Sequence, residues 1–313
     1  MNEHMNGLIR QDFLKEADFD QVTDEKVATV ERKLNCELGS VSATGRRSRY
    51  FVAGYRQNAA PPVVLRLLLE FGRGFLCCMP LLAGVVQAGH AVHWSYLGEE
   101  GPESWGHLSP DYHVCADGRD QSPVNIEGAI EAEMPPLEFN YHKGGSAVLN
   151  NGHTIQVSYL AGSTLAVNGR EFELKQFHFH APSENHIEGK GYPMEMHLVH
   201  ADKEGNLAVV AVMITEGREN ETLTEIWRQM PEQAGGKKDL QKRISVKGLL
   251  PASKDYYRFN GSLTTPPCTE GVRWYVMKQP LTVSVEQVRK FRHIMHHHNN
   301  RPVQPVYARP LLK

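Results

Sequence analysis

None of the five cysteines in this 313-residue chain forms a C-x-x-C pair, which argues against a cysteine-held zinc framework. Charge of one sign is also missing. The 34 Lys and Arg against 36 Asp and Glu leave a formal net charge of -2, so no basic excess grips nucleic acid and no acidic tail is present. The longest uncharged apolar run, Phe75 to Ala88, is 14 residues, too short for a helix to span a bilayer. Internal repeats and low-complexity tracts are absent. What remains is ordinary globular composition, 41% hydrophobic and 22% charged. The 16 histidines stand out, because imidazole titrates near neutral pH and is the commonest metal ligand.

The first ninety residues differ from the rest. Residues 1–62 are polar and weakly periodic, and they end in the breaker cluster Asn58-Ala-Ala-Pro-Pro62. Residues 63–91 carry Arg66 and Arg73 ahead of the apolar run. They finish in Val86-Gln-Ala88 and Gly89-His-Ala91, which both fit a small-x-small cleavage site. That is a secretory signal pattern placed far inside the chain. Two readings stand. Either translation starts near Val63 or Val64 and residues 1–62 are not native, or a buried apolar helix follows a true N-terminal extension.

From residue 92 to 313 the pattern is that of one β-dominated domain. Gly152 to Tyr159 alternates, and Asn168-Gly169 after Leu165-Ala-Val167 is a two-residue hairpin signal. Glu171 to His180 alternates over its whole length, Met194 to His200 more loosely. Leu207 to Ile214 is almost continuously apolar, as in a strand buried on both faces. Two helices are legible: one from Leu223, Ile226, Trp227 and Met230, and one from the capping box Ser284/Gln287 with Val285, Val288 and Phe291.

Chemistry concentrates in Gln176-Phe-His-Phe-His180 and Glu195-Met-His-Leu-Val-His200. Residues two apart in a strand share a face. Gln176, His178 and His180 therefore line one face, and Glu195, His197 and Val199 line one face of the second strand. If the strands pair, three imidazoles converge. Three nitrogen ligands and an open position is how catalytic zinc is commonly held. Gln176 and Glu195 are placed to hold the outer N–H groups of those rings. His200 faces away.

These motifs resemble the alpha carbonic anhydrase family, of the secreted bacterial type. The resemblance runs from His93 to Arg309 through His93-Trp-Ser-Tyr96, Gln121-Ser-Pro-Val-Asn-Ile126, Leu149-Asn-Asn-Gly-His153, the two histidine strands, Ser183-Glu184, Gly261-Ser-Leu-Thr-Thr-Pro-Pro267 and Arg301-Pro-Val-Gln-Pro305. It implies a mainly β fold with a few short helices, built on a large, twisted, mostly antiparallel sheet. It implies Zn²⁺ on His178, His180 and His197, and reversible hydration of carbon dioxide to bicarbonate and a proton by attack of zinc-bound hydroxide. Metal lowers the pKa of bound water to near neutrality, a value known from carbonic anhydrases themselves.

The resemblance also implies roles residue by residue. Thr264 would donate its hydroxyl to Glu184 and orient the attacking oxygen, with Thr265 on the same rim. His153 would carry the proton away, with Tyr96, Asn151 and Gln156 ordering water. Val199, Val209, Leu263, Val272 and Trp274 would form the apolar wall for carbon dioxide. Cys115 and Cys268 would form one disulfide, which implies an oxidising compartment, periplasmic or secreted. Asn300 stands where the family usually has tryptophan. The run His296-His297-His298 reads as an exposed helix end. The expected partner is a small molecule, with no nucleic acid and no stable membrane span, on a monomer or homodimer. Two other functions fit the same pattern less well: a zinc esterase, and a catalytically silent binding module on the same fold.

Overall fold

The computed structural model describes residues 92–313; the polar segment 1–62 and the signal-like segment 63–91 lie outside the described residues. Thirteen strands follow one another among the described residues. They are β1 (Asn125–Ile126), β2 (Glu138–Asn140), β3 (Gly145–Asn150), β4 (Ile155–Tyr159), β5 (Thr164–Val167), β6 (Arg170–His180) and β7 (His186–Ile187). Then come β8 (Met194–Ala201), β9 (Leu207–Glu216), β10 (Lys237–Ile244), β11 (Tyr256–Ser262), β12 (Glu270–Met277) and β13 (Leu281–Val283). The α-helices are α1 (Trp105–Leu108), α2 (Val114–Asp117), α3 (Glu221–Gln229) and α4 (Val285–Met295).

Eleven strands form one sheet in the order β10-β3-β4-β6-β8-β9-β12-β11, with β13 on β9 and β5 joining β2 to β6. Pairing is mostly antiparallel, as expected. In this sheet the parallel pairs are β12 and β13 with β9. β9 is the near-continuous apolar run, and its residues Ala208 to Ile214 are buried. The hairpin between β5 and β6 turns at Asn168 and Gly169, both with positive φ (49° and 71°), the backbone a type I′ turn needs.

The alternation in β6 and β8 sorts their side chains between two layers. Phe177, Phe179, Met196 and Leu198 enter the main core. There Phe179 meets Trp227 of α3 edge-on at 4.9 Å. Each such fully buried phenylalanine contributes about 2–3 kcal/mol of burial free energy. Gln287 locks the helices behind that layer. Its Oε1 accepts from Ser284 N and from Asn220 N, and its Nε2 donates to Asn220 O. One capping-box side chain therefore fixes the starts of both α3 and α4. No helix among the described residues is long and apolar enough to cross a membrane.

His200 faces the core side, as its spacing from His197 requires, and is buried there. Its Nδ1 donates to Ala208 O at 3.2 Å, and its Nε2 accepts from the Tyr141 hydroxyl at 2.6 Å. Burial lowers its pKa to about 4. In the unfolded chain the ring takes a proton near pH 6.5, so between those values the unfolded state binds the extra proton. This contribution is complete above pH 6.5 and is lost as the pH falls toward 4, by about 3 kcal/mol. His200→Asn should flatten the pH dependence of urea-unfolding stability across that window. An unchanged profile would contradict the assignment.

Candidate active site

The pairing of β6 with β8 sets the site. Across the ladder, His178 is opposite His197, Gln176 is opposite Val199, and His180 is opposite Glu195. Ring centroids lie 5.0 Å apart for His178 and His180, 5.3 Å for His178 and His197, and 4.6 Å for His180 and His197. One ring nitrogen from each comes within 4.8 Å of the others. The convergence expected from alternation is thus present, and the three could hold a metal ion.

The outer nitrogens are all taken. His178 Nδ1 lies 2.9 Å from Gln176 Oε1, His180 Nδ1 lies 2.7 Å from Asn299 O, and His197 Nε2 lies 2.8 Å from Glu195 Oε1. All three partners accept only, so these nitrogens carry hydrogen. His178 Nε2, His180 Nε2 and His197 Nδ1 are left with bare lone pairs. His180 Nε2 is buried with no hydrogen-bond partner, an arrangement that costs free energy unless a cation satisfies it. Burial holds the pKa of all three below the ordinary histidine value, which keeps them in the neutral form that ligates. The donor set fits a tetrahedral zinc site with three nitrogens and one open position.

Gln176 and Glu195 stand where the sequence put them. Two partners were not foreseen. Asn299 gives its backbone carbonyl to His180, and its Oδ1 accepts from Ala181 N at 2.8 Å. Asn185 holds Glu195: its Nδ2 donates to Oε1 at 2.7 Å, while the amides of Glu184 and Asn185 donate to Oε2, both at 2.8 Å. A backbone carbonyl leaves no residue-type signal, so Asn299 was invisible as a ring holder. Asn185 directly follows Ser183-Glu184, and that adjacency was its only cue.

Glu184 is buried beside the rings, with Oε2 at 3.5 Å from His180 Nε2 and 3.9 Å from His197 Nδ1. Its Oε1 accepts from Arg301 N at 2.8 Å. Burial pushes its pKa well above the usual carboxylate range, against the pull of Arg301 N and the Thr264 hydroxyl. Oε2 is buried with no hydrogen-bond partner of its own, and the Thr264 hydroxyl lies near enough to the carboxylate to pull its pKa down. Thr264 itself is buried, and Thr265 is half-buried.

An apolar wall flanks the rings. Val209, Val272 and Trp274 are buried in one cluster, with Val199 and Leu263 packed against it. Trp274 meets His197 edge-on at 4.9 Å and donates from Nε1 to Ser262 O at 3.0 Å. His153 is half-buried and stacks on Trp94 with centroids 3.8 Å apart. Burial lowers its pKa, helped by His93 and His297. Tyr96 is buried, with its ring 6.4 Å from that of His153. Asn151 is committed to the turn, because its Oδ1 accepts from His153 N and Thr154 N. Gln156 pairs across the ladder with His178.

The disulfide Cys115–Cys268 is formed. Cys268 N donates to Thr265 O at 2.9 Å, and Cys115 O accepts from Arg301 Nη2 at 2.8 Å. The bond therefore joins the Thr264 loop to the residue whose amide holds Glu184.

The family described as eukaryotic-type carbonic anhydrase matches residues 100–313. Carbonic anhydrase of Klebsiella pneumoniae is 49% identical over 225 residues, which is 71% of this chain and 92% of the relative. That of Pectobacterium atrosepticum is 47% identical over 225 residues, covering 72% and 92%. Among solved structures, the alpha-carbonic anhydrase of Thermovibrio ammonificans, in complex with the inhibitor sulfanilamide, superimposes with a TM-score of 0.71. It is 50% identical, and the match covers 72% of this chain and all of that one.

Proposed function

The chain belongs to the alpha carbonic anhydrase family and catalyses the reversible hydration of carbon dioxide to bicarbonate and a proton; we propose that it does so at a zinc ion held by His178 Nε2, His180 Nε2 and His197 Nδ1. The observation that carries this reading is the convergence of three ring nitrogens left without hydrogen, that of His180 buried with no partner, beside an apolar wall. When bound, the metal supplies Lewis acidity that ionises water near neutral pH, a property known from carbonic anhydrases themselves.

The protein groups do the rest. Gln176, Glu195 and Asn299 fix each ring in one tautomer, so the metal-facing nitrogens stay basic. Val199, Val209, Leu263, Val272 and Trp274 offer an uncharged linear molecule a surface with little to hydrogen-bond, which holds it loosely and releases charged product. Glu184 Oε2 is the acceptor available to the Thr264 hydroxyl. A Thr264 that donates there keeps its own lone pairs for the hydrogen of the attacking oxygen, and this turns an oxygen lone pair toward carbon dioxide. Thr265 shapes the same rim. His153 takes the proton that must leave in each turnover, through water ordered by Tyr96 and Gln156. Its lowered pKa makes it quick to release that proton to buffer.

Stopped-flow hydration of carbon dioxide tests the assignment. Activity should vanish on treatment with a strong zinc chelator and return with added zinc. Thr264→Ala should lower kcat/KM about 10²-fold at unchanged metal content. Hydration that survives metal removal would contradict the zinc site, and a silent Thr264→Ala would contradict the orienting role.

The disulfide points to an oxidising compartment. We read residues 63–91 as an export signal and 92–313 as the catalytic domain, working in the periplasm or outside the cell. N-terminal sequencing of the chain recovered from the periplasm or medium should find a start near Gly89 or Val92; a chain starting at Met1 would contradict export by this signal.

A further inference from the structure

The three histidines that end α4 do not behave alike. His296 closes the helix with a left-handed backbone (φ 61°), its amide donating to Arg292 O. Both His296 and His298 are exposed, whereas His297 is half-buried. Beyond the left-handed turn, the ring of His297 lies 6.1 Å from that of Tyr96. The ring of Tyr96 in turn lies 6.4 Å from that of His153. The two imidazoles therefore share one buried tyrosine as neighbour.

The position of His297 is fixed rather than incidental. Two residues on, Asn299 gives its carbonyl to His180 Nδ1 and donates from Nδ2 to His153 O at 3.0 Å. One residue thus ties the segment bearing His297 both to a metal-facing ring and to the peptide of His153. The tautomer of His297 is fixed too. Its Nδ1 lies 2.8 Å from His298 O. A carbonyl only accepts, so Nδ1 carries the hydrogen and Nε2 keeps a basic lone pair. Of the other titratable groups facing His153, Tyr96 is kept neutral by burial. His93 is exposed and serves Glu100 Oε2 at 2.9 Å.

We propose that His297 is a second proton acceptor at the mouth of the site, receiving through water the proton that His153 releases and passing it to buffer. This rests on the reading of His153 as the proton outlet. In the step, an N–H bond of the His153 imidazolium breaks and one forms at His297 Nε2. His153 returns to neutral, and His297 becomes a cation until a buffer base removes the proton. No electron changes hands. The spare histidine at a helix end becomes a relay that moves the exit for the proton to the chain just beyond α4.

Proton exit follows release of bicarbonate, so it enters kcat and not kcat/KM. In dilute buffer, His297→Gln should lower kcat about threefold, well short of the 10²–10⁴ of a direct acid–base group, with kcat/KM unchanged. Added imidazole should restore kcat. In a His153→Ala background the same substitution should add nothing, because the relay acts through His153. A readout independent of turnover is the ¹⁵N NMR titration of His153. Its pKa should rise toward the ordinary value in His297→Gln, because a neighbouring cation no longer opposes its protonation. An unchanged kcat, an unchanged His153 titration, or a loss shared equally by kcat and kcat/KM would overturn the relay. His153→Ala separates the two readings. If it leaves kcat at the wild-type value in dilute buffer, the outlet itself fails. If it lowers kcat while His297→Gln does not, the relay alone fails.

Discussion

Three neutral imidazoles with centroids 4.6 to 5.3 Å apart cannot be stable by packing alone when their lone pairs face one another. Each ring has its outer nitrogen held by an acceptor, so none can turn a hydrogen inward without losing a buried bond. An unmet buried acceptor costs about 1–3 kcal/mol, and His180 Nε2 is such an acceptor. A cation among the three rings removes that cost. Gln176 and Glu195 each lie two residues from the ring they hold, on β6 and β8, and Asn299 comes from the chain beyond α4. Fixing the tautomers therefore draws sheet and C-terminal segment together.

The same logic extends outward through buried charge. Glu195 accepts four hydrogen bonds, from Glu184 N, Asn185 N, Asn185 Nδ2 and His197, so its carboxylate is satisfied without a cationic side chain. Glu184 is held on one oxygen by Arg301 N, and the Arg301 guanidinium donates to Gln121, Ser122 and Cys115. Burial lowers the Arg301 pKa to about 10, still high enough to keep it charged at neutral pH. The second oxygen of Glu184 stays free for Thr264. The disulfide closes this circuit by joining the Thr264 loop to α2. Orientation at the reacting centre is thus set by a chain of short contacts rather than by any single residue.

Much of this was legible because β-strands have a strict two-residue period. Once Phe177 and Phe179 are assigned inward, His178 and His180 have no choice of face. The hairpin at Asn168-Gly169 and the capping box at Ser284 and Gln287 were legible for the same kind of reason, since few residues meet those backbone demands. The assignments that needed the fold were those made by main-chain atoms or by distant segments. The carbonyl of Asn299 is one. His297, which local sequence reads as an exposed helix end, is another: it follows the left-handed His296 and its ring lies beside Tyr96. The parallel pairing of β12 and β13 with β9 also had no local signature.

The most direct measurement is anomalous X-ray scattering at the zinc absorption edge from crystals of the protein as purified. The expected result is one strong peak bonded to His178 Nε2, His180 Nε2 and His197 Nδ1, each at about 2.0–2.1 Å, with Gln176, Asn299 and Glu195 still on the outer nitrogens. No peak among these rings, or His197 bonded through Nε2, would contradict the tautomer argument on which the reading of the site depends.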